Sequence, residues 1–445
     1  MGVGEWGGET YDSRGVTIYL DNNATTRPPA AVQEAVAQSL GELWQNPSSV
    51  HRAGQAARQR VELARQSLAR LIGARPRNLT ICGSGTEAID LAVRGVLAAS
   101  GRLGRAGVTD GPAGGGGSAS IITSRVEHAA VRGVAEALER EEGVRTRWAE
   151  VDTEGVVSVR NVEALLDQHA DVALVSVQWV NNETGVVQPV LEIGRACRAR
   201  GVVFHCDATQ WVGKMVVTLE DLEAFDLLTF SPHKFHGLKG VGVMYARPGV
   251  RVAGRVAGEQ EMGRRGGTEN VPGIIGAGVA AELAMAWLAD PENIERGRAL
   301  RDWFEEAVLA GVPDAVVNGV KKDGARPGRE SAEGPGARDP GIGARIWNTT
   351  NVGFPRVEAE ALLMLLSERG VYASAGAACS SGSLDPSPVL LAMGVKPEVA
   401  HGSLRFSLSR ETTRAEVEEA AAVVVECVQR LRRSLGVVDS GPRGG

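Results

Sequence analysis

From Leu79 to Phe230, short apolar runs alternate with stretches of helical period, and each run ends in a polar turn. Residues 79–82, 119–124, 171–180, 201–206 and 227–230 read as buried strands. Residues 88–99, 129–140 and 191–200 read as the helices between them. Strand–helix–strand order predicts an α/β fold: a mostly parallel sheet with helices on both faces. Thr86, His128, Asn182, Asp207, Gln210, Ser231, His233 and Lys234 all fall just past carboxyl ends of these strands. In open α/β sheets that edge is where ligands bind. A random scatter of polar residues would not favour it.

The densest of these ends is Asp226–Gly237. The run Leu227–Phe230 is stopped by Ser231-Pro232, because proline donates no ladder hydrogen bond. A second β-rich run, Gly240–Tyr245, follows a glycine-bearing turn. Lys234 is thus expected on a rigid, desolvated turn, where a lysine amine loses its charge more readily and can form a Schiff base. The competing reading is an ordinary surface lysine. The stretch Gly83-Ser-Gly-Thr-Glu87 lies between a strand and a helix, so backbone N–H groups, the Thr86 hydroxyl and the helix dipole can hold an anion. It is neither a Walker A loop nor a Gly-x-Gly-x-x-Gly motif, so a bare phosphate group suits it better than a nucleotide. Ser84 or Thr86 would equally serve as a plain helix cap.

A lysine, a phosphate cradle and a strand-end aspartate together suggest pyridoxal phosphate. Lys234 would hold its aldehyde carbon, Gly85 and Thr86 its phosphate, and Asp207 the protonated pyridine nitrogen. His128 could stack on the ring, and Asn182 or Gln210 could bond its phenolic oxygen. A lone aspartate is more often a cap or a turn residue.

The flanks complete the plan. Residues 16–20 read as a strand, with helices at 30–40 and 55–72. Beyond Gly249 the texture changes, with helices at 274–289, 291–309, 358–369 and 413–435 and strands at 346–352, 371–374 and 403–408. The expected division is a large cofactor domain at 17–270 with a flexible insertion near 100–118, then a smaller α+β domain at 271–435 with a disordered insertion near 321–341, then a tail at 436–445. A formal charge of −6 over 445 residues is no nucleic-acid footprint. No unbroken run of about 18 apolar residues suggests a membrane span, and the start has no hydrophobic signal segment. The five cysteines are scattered, with no Cys-x-x-Cys pair and no zinc spacing. That suits a reducing cytoplasm. Cys82, Cys206 and Cys427 lie in apolar elements and read as packing, while Cys197 is ambiguous. Cys379 lies in the small-residue loop 375–384, where a nucleophilic thiol has the access it needs.

These residues carry a resemblance. Asp21–Thr26, Asn46–Ser49, Val126–His128, Val180–Gly185, Asp207–Gln210, Ser231–Lys234, Gly266–Asn270, Ala378–Leu384 and Gly402–Leu408, in that order, resemble the motifs of cysteine desulfurases, pyridoxal-phosphate enzymes of the class V aminotransferase group. The resemblance runs from about Thr17 to Leu435, apart from the two insertions. It implies the type I pyridoxal-phosphate transferase fold. It implies that Lys234 forms the Schiff base, Asp207 pairs with the pyridinium, His128 stacks, and Asn182 and Gln210 contact the ring oxygen. Gly85, Thr86, Ser231 and His233 would bind phosphate, with Thr268 reaching the phosphate in the partner subunit of a homodimer. Arg405 would clamp the substrate carboxylate with its bidentate fork, Asn182 sharing the contact; a surface charge on a strand is the plainer reading of Arg405. Cys379 would take sulfur from L-cysteine as a persulfide, leaving alanine, and pass it to an acceptor protein in iron–sulfur assembly or thiolation. Pro232 departs from the family's usual glycine, and Cys82–Thr86 and Val256–Glu261 are variants of its motifs. Selenocysteine lyase and a catalytically silent cofactor-binding scaffold are the alternatives.

Overall fold

The computed structural model describes residues 17–101, 119–320, 344–375 and 385–434. All but the first two residues of the expected 100–118 insertion, the whole of the 321–341 insertion, Cys379 with its loop from 376 to 384, and the tail lie outside the described residues.

The chain runs through β1 (Ile18–Tyr19), α1 (Ala30–Glu42), α2 (Arg52–Leu71), β2 (Leu79–Cys82), α3 (Gly85–Ala99), β3 (Ser120–Ser124), α4 (Ala129–Glu142), β4 (Arg145–Ala149), α5 (Val159–Gln168) and β5 (Val172–Gln178). It continues with α6 (Val190–Ala199), β6 (Val203–Asp207), α7 (Leu219–Ala224), β7 (Leu227–Phe230) and β8 (Gly242–Ala246). Among the described residues, seven of these strands form one sheet in the order β2-β8-β7-β6-β5-β3-β4. The ladder from β7 to β4 is parallel, and β8 runs antiparallel to both its neighbours. The sheet is mostly parallel, as the alternation of elements predicts.

Adjacent residues in a strand point to opposite faces, and here both faces are covered. Ile122, Val175, Leu228 and Val243 join the larger core, which includes Val190 and Ile193 of α6. Their neighbours Ile121, Leu174, Leu227 and Met244 join a second core beneath α3 and α4. Burial on both sides is why these strands read as unbroken apolar runs. The edge strand β4 escapes that pattern: Arg145 is exposed and its next three residues are half-buried. Its charges hide it in the sequence, and α5 and the six-residue α7 go unread with it.

The rest comprises α8 (Val271–Leu288), α9 (Glu292–Gly311), β9 (Val316–Val317), β10 (Thr349–Gly353), α10 (Ala359–Glu368), β11 (Val371–Tyr372), α11 (Pro388–Ala392), α12 (Pro397–Ala400), β12 (Ser403–Ser407) and α13 (Arg414–Ser434). An antiparallel sheet, β12-β10-β9, organises this part. Two features stitch it to the first. β1 pairs in parallel with β11, and α8 lies against α1 and α2. A Cβ on Gly278 would come within 2.6 Å of Ala64, and one on Gly276 within 2.9 Å of Val36, so small residues let these helices close up.

α8 also corrects an expectation. Its 18 residues have a mean hydropathy of 1.6, long and apolar enough to cross a bilayer. Counting unbroken apolar runs misses it, because glycines and Glu282 interrupt the pattern. In the fold, Ala277, Ala280, Ala281 and Ala284 are fully buried in the core.

A buried ion pair fixes one side of the site. Arg345 donates to both carboxylate oxygens of Glu305 on α9, at 2.6 and 3.0 Å, and Thr350 Oγ1 donates to Glu305 at 2.6 Å. The residues beside Arg345 hold the turn after β5: Val187 N donates to Ala344 O at 2.9 Å and Ile346 N to Gly185 O at 2.8 Å. Removing one partner of such a pair strands a charge in low dielectric. Glu305→Ala is expected to lower the unfolding free energy by about 3–5 kcal/mol, measured by urea denaturation; a loss under about 1 kcal/mol would rank the pair with ordinary surface bridges.

Candidate active site

Strands β2, β3, β5, β6 and β7 open their carboxyl ends onto one cavity of about 380 Å³. Gly85, Thr86, His128, Asn182, Asp207, Gln210, Ser231, His233, Lys234 and Arg405 all line it. The sequence placed eight of these, from Thr86 to Lys234, on one edge; the structure brings them, with Gly85 and Arg405, to one space, of a size usual for small-molecule sites.

The lysine turn is built rigidly. Pro232 opens a 3-10 turn, Pro232–Lys234, where its fixed φ is already suitable and no N–H is missed. Gly237 N donates back to Pro232 O at 2.9 Å. Thr26 fastens the turn from outside: its Oγ1 donates to His233 O at 2.9 Å and accepts from His236 N at 2.6 Å. Lys234 Nζ donates to two main-chain carbonyls, Asn23 O and Ala24 O, each at 2.7 Å.

On the opposite wall, Ser84 caps α3 by accepting from Glu87 N at 3.0 Å. The cap reading holds, and it leaves Gly85 and Thr86 presenting the helix start to the cavity. A side chain on Gly242 would run into the Ser84 carbonyl, and a Cβ on Gly85 would lie 3.2 Å from Ser231 Cβ. Glycine at both positions keeps the cradle open.

Asp207 ends β6, and its Oδ1 accepts from Thr209 N at 3.0 Å. His128 caps α4, with Nδ1 accepting from Ala130 N at 3.1 Å, which puts the ring proton on Nε2. Burial holds this histidine below its usual pKa against the opposing Asp207 charge, with the Lys234, Arg132 and Arg405 charges adding to the shift. Gln210 Nε2 donates to Asn23 O at 3.1 Å. Asn182 sits in a turn organised by Asn181, whose Oδ1 accepts from Glu183 N at 2.9 Å and Thr184 N at 2.8 Å. Arg405, on β12, donates from Nη2 to Asp21 Oδ1 at 2.6 Å and from Nη1 to Asn182 O at 3.1 Å. Two atoms of cavity-lining residues, Asn182 Oδ1 and Arg405 Nε, are buried with no protein partner. Buried polar atoms are rarely left so, and these suit a polar ligand.

The donor set fits pyridoxal phosphate: an amine, a helix start with hydroxyls from Thr86 and Ser231, and a strand-end carboxylate on one cavity. Thr268 stands apart. It is exposed and lines a separate space beside Cys82, Gly83 and Arg265. Cys82, Cys197, Cys206 and Cys427 are free, and burial pushes all four thiols up, which suits packing. Among the described residues no group of His, Cys, Asp and Glu could hold a metal. Sequence reasoning gave no role to Asp21, Asn23, Thr209 or Lys214. Asn23 and Asp21 lie in a motif the resemblance includes; Lys214 follows Gly213 with no signal of its own.

The chain belongs to the class V aminotransferase family, whose model matches residues 18–331 and 339–419. Within it the chain is similar to curated cysteine desulfurases. It is 41% identical to cysteine desulfurase 2 of Trichormus variabilis over 416 residues, 93% of this chain and 94% of that one. It is 40% identical to the cysteine desulfurase of Cereibacter sphaeroides, covering 93% and 96%. Among solved structures it resembles a NifS-like protein, with a TM-score of 0.79, 31% identity, and coverage of 94% and 100%. It also resembles SspA in complex with cysteine, with a TM-score of 0.69, 27% identity, and coverage of 89% and 100%.

The buried histidines give the fold a pH signature. His233 is lowered to about 3, and His205 and His236 to about 4, each mainly by burial. An unfolded histidine takes its proton near pH 6.5. Between these values the unfolded chain binds more protons, so stability is complete above about pH 6.5 and falls as pH drops toward 4. Glu127, raised to about 8 by burial, and Glu183, also raised, act in the opposite sense, but they are two groups against four lowered histidines, His128 among them. The unfolding free energy is expected to be lower at pH 5.5 than at 7.5. His205→Gln, replacing the ring held between Ser176 and Thr229, should remove about 1.4 kcal/mol of the difference between those two pH values. Urea melts at both pH values check this; a flat profile would contradict it.

Proposed function

We propose that this chain is a pyridoxal-phosphate-dependent cysteine desulfurase that takes sulfur from L-cysteine as an enzyme persulfide and releases L-alanine. One observation carries the reading: Lys234, Asp207, His128, the start of α3 and Arg405 meet on one cavity, in a chain about 40% identical to cysteine desulfurases over 93% of its length. When bound, the cofactor supplies an aldehyde that captures amines and a ring that accepts electron density.

The chain's own groups do the rest. Lys234 is the amine held ready by the Asn23 and Ala24 carbonyls. Gly85, Thr86, Ser231 and His233 hold the phosphate, joined by Thr268 from the partner subunit of a homodimer. Asp207 keeps a proton on the pyridine nitrogen, His128 lies on the ring, and Asn182 and Gln210 hold the ring oxygen. Arg405 orients the substrate carboxylate, which takes over the place of Asp21 and uses the unpartnered Nε. The Cys379 thiolate bonds to the substrate sulfur as the carbon–sulfur bond breaks, and the electron pair goes to the carbon that becomes alanine's methyl group. The persulfide then passes to an acceptor protein, an iron–sulfur scaffold or sulfur carrier, in the cytoplasm.

Purified protein supplied with pyridoxal phosphate is expected to convert L-cysteine to equal amounts of alanine and sulfide with a thiol present. Cys379→Ser should keep the visible cofactor band and lose persulfide formation by at least about a hundredfold; normal sulfide release would refute its role. Lys234→Ala should lose the wild-type band, and an unchanged spectrum would remove that assignment. Selenocysteine as substrate, compared by alanine release, separates the lyase alternative. A protein that binds the cofactor but turns over neither substrate would be the silent scaffold.

A further inference from the structure

Lys214 is buried, and it lies one layer behind the cavity, not on its wall. The turn that puts it there depends on Gly213, whose φ is +78° and where a Cβ would meet Phe235. Trp347 Nε1 donates to Lys214 O at 3.0 Å and fixes the backbone. The amine makes two hydrogen bonds, to Asn23 Oδ1 at 2.8 Å and to Gln210 Oε1 at 2.5 Å. Both acceptors are neutral amides. Around it stand Lys234, Arg405 with its partner Asp21, His233 and His236. Burial and the two neighbouring cations hold Lys214 well below its usual pKa. The Asn23 and Gln210 amide oxygens take two of the amine's N–H donors.

The consequence falls on Gln210. Its carboxamide oxygen is committed to Lys214, so its Nε2 must face the other way. One of its N–H groups goes to Asn23 O at 3.1 Å, which leaves the second for the cavity that Gln210 lines. Asn23 is braced as well. Its Oδ1 also accepts from Asn348 at 3.1 Å, its Nδ2 donates to Thr349 at 2.9 Å, and its carbonyl holds Lys234. We propose that Lys214 is a positioning residue: it fixes the Gln210 amide with the donor end toward the cavity and steadies the Asn23 carbonyl that holds Lys234. This rests on the reading that pyridoxal phosphate occupies the cavity with its ring oxygen at Gln210.

The test is a spectrophotometric pH titration of the bound cofactor in wild type, Lys214→Met, Gln210→Leu and the double variant. A donor on the ring oxygen draws charge from it and favours the deprotonated chromophore, so losing the donor raises the midpoint. Lys214→Met is expected to raise it by about one pH unit, about tenfold in the acid dissociation constant. Gln210→Leu should raise it similarly, and the double variant should add nothing further, because the lysine acts through the glutamine. Thermal unfolding of the cofactor-free Met variant should match wild type or exceed it, because an apolar side chain of similar length replaces a buried amine. A Met variant with the wild-type midpoint, or additive shifts in the double variant, overturns the proposal. Lys214→Leu is the second donor-less variant. If neither it nor the Met variant folds, the residue is structural and the positioning role falls. A wild-type protein with no cofactor band refutes the cofactor reading itself, and this inference with it.

Discussion

Two main-chain carbonyls, of Asn23 and Ala24, hold the amine of Lys234 at 2.7 Å each, and much of the site follows from that contact. Both of these acceptors are neutral main-chain carbonyls. The carbonyls must then be fixed from elsewhere. Asn23 is tied by its side chain to Thr349, Asn348 and Lys214 and by its amide N–H to Ser407 Oγ. The lysine belongs to the large sheet, its acceptors to the segment after β1, and their supports largely to the antiparallel sheet. A contact between two parts of the fold becomes reliable only when each is anchored separately, and buried polar networks give that rigidity when every member is satisfied.

The same logic explains why helix starts recur at the site. α3 and α4 both begin at the carboxyl end of a strand of the large sheet, and each is capped by a residue that also lines the cavity, Ser84 and His128. One side chain satisfies the helix's own orphan N–H while its neighbours face the cavity. Local helix stability and function are not rivals here, and the choice between cap and cradle at Gly83–Glu87 was never exclusive.

Much of this was legible in the sequence. The strands Leu79–Cys82 and Leu227–Phe230 fall on their expected residues, because a strand buried on both faces leaves an uninterrupted apolar signature. Thr86, His128, Asn182, Asp207, Gln210, Ser231, His233 and Lys234 were readable for the same reason: each lies where that signature stops. What escaped the sequence has physical causes. Asn23 works at Lys234 through its main-chain carbonyl, which every residue carries. Lys214 looks like any solvated lysine until Gly213 and Trp347 place it beneath the site. Asp21 meets Arg405 across 384 positions of chain, a separation no local pattern encodes. β4 is an edge with arginines on it, and α8 conceals its apolarity behind glycines that serve close helix packing.

The one reversed strand, β8, has a kinetic consequence. Every other pairing in the large sheet joins strands separated by long connections, whereas Phe230 pairs with Val243 across a short link carrying Ser231, His233 and Lys234. Closing a short loop costs the least chain entropy and occurs fastest. The hairpin bearing the reactive lysine is therefore the most local piece of the sheet's topology. Lys234 thus sits on the pairing whose closure costs the least chain entropy, while each parallel crossover in the sheet spans at least one helix.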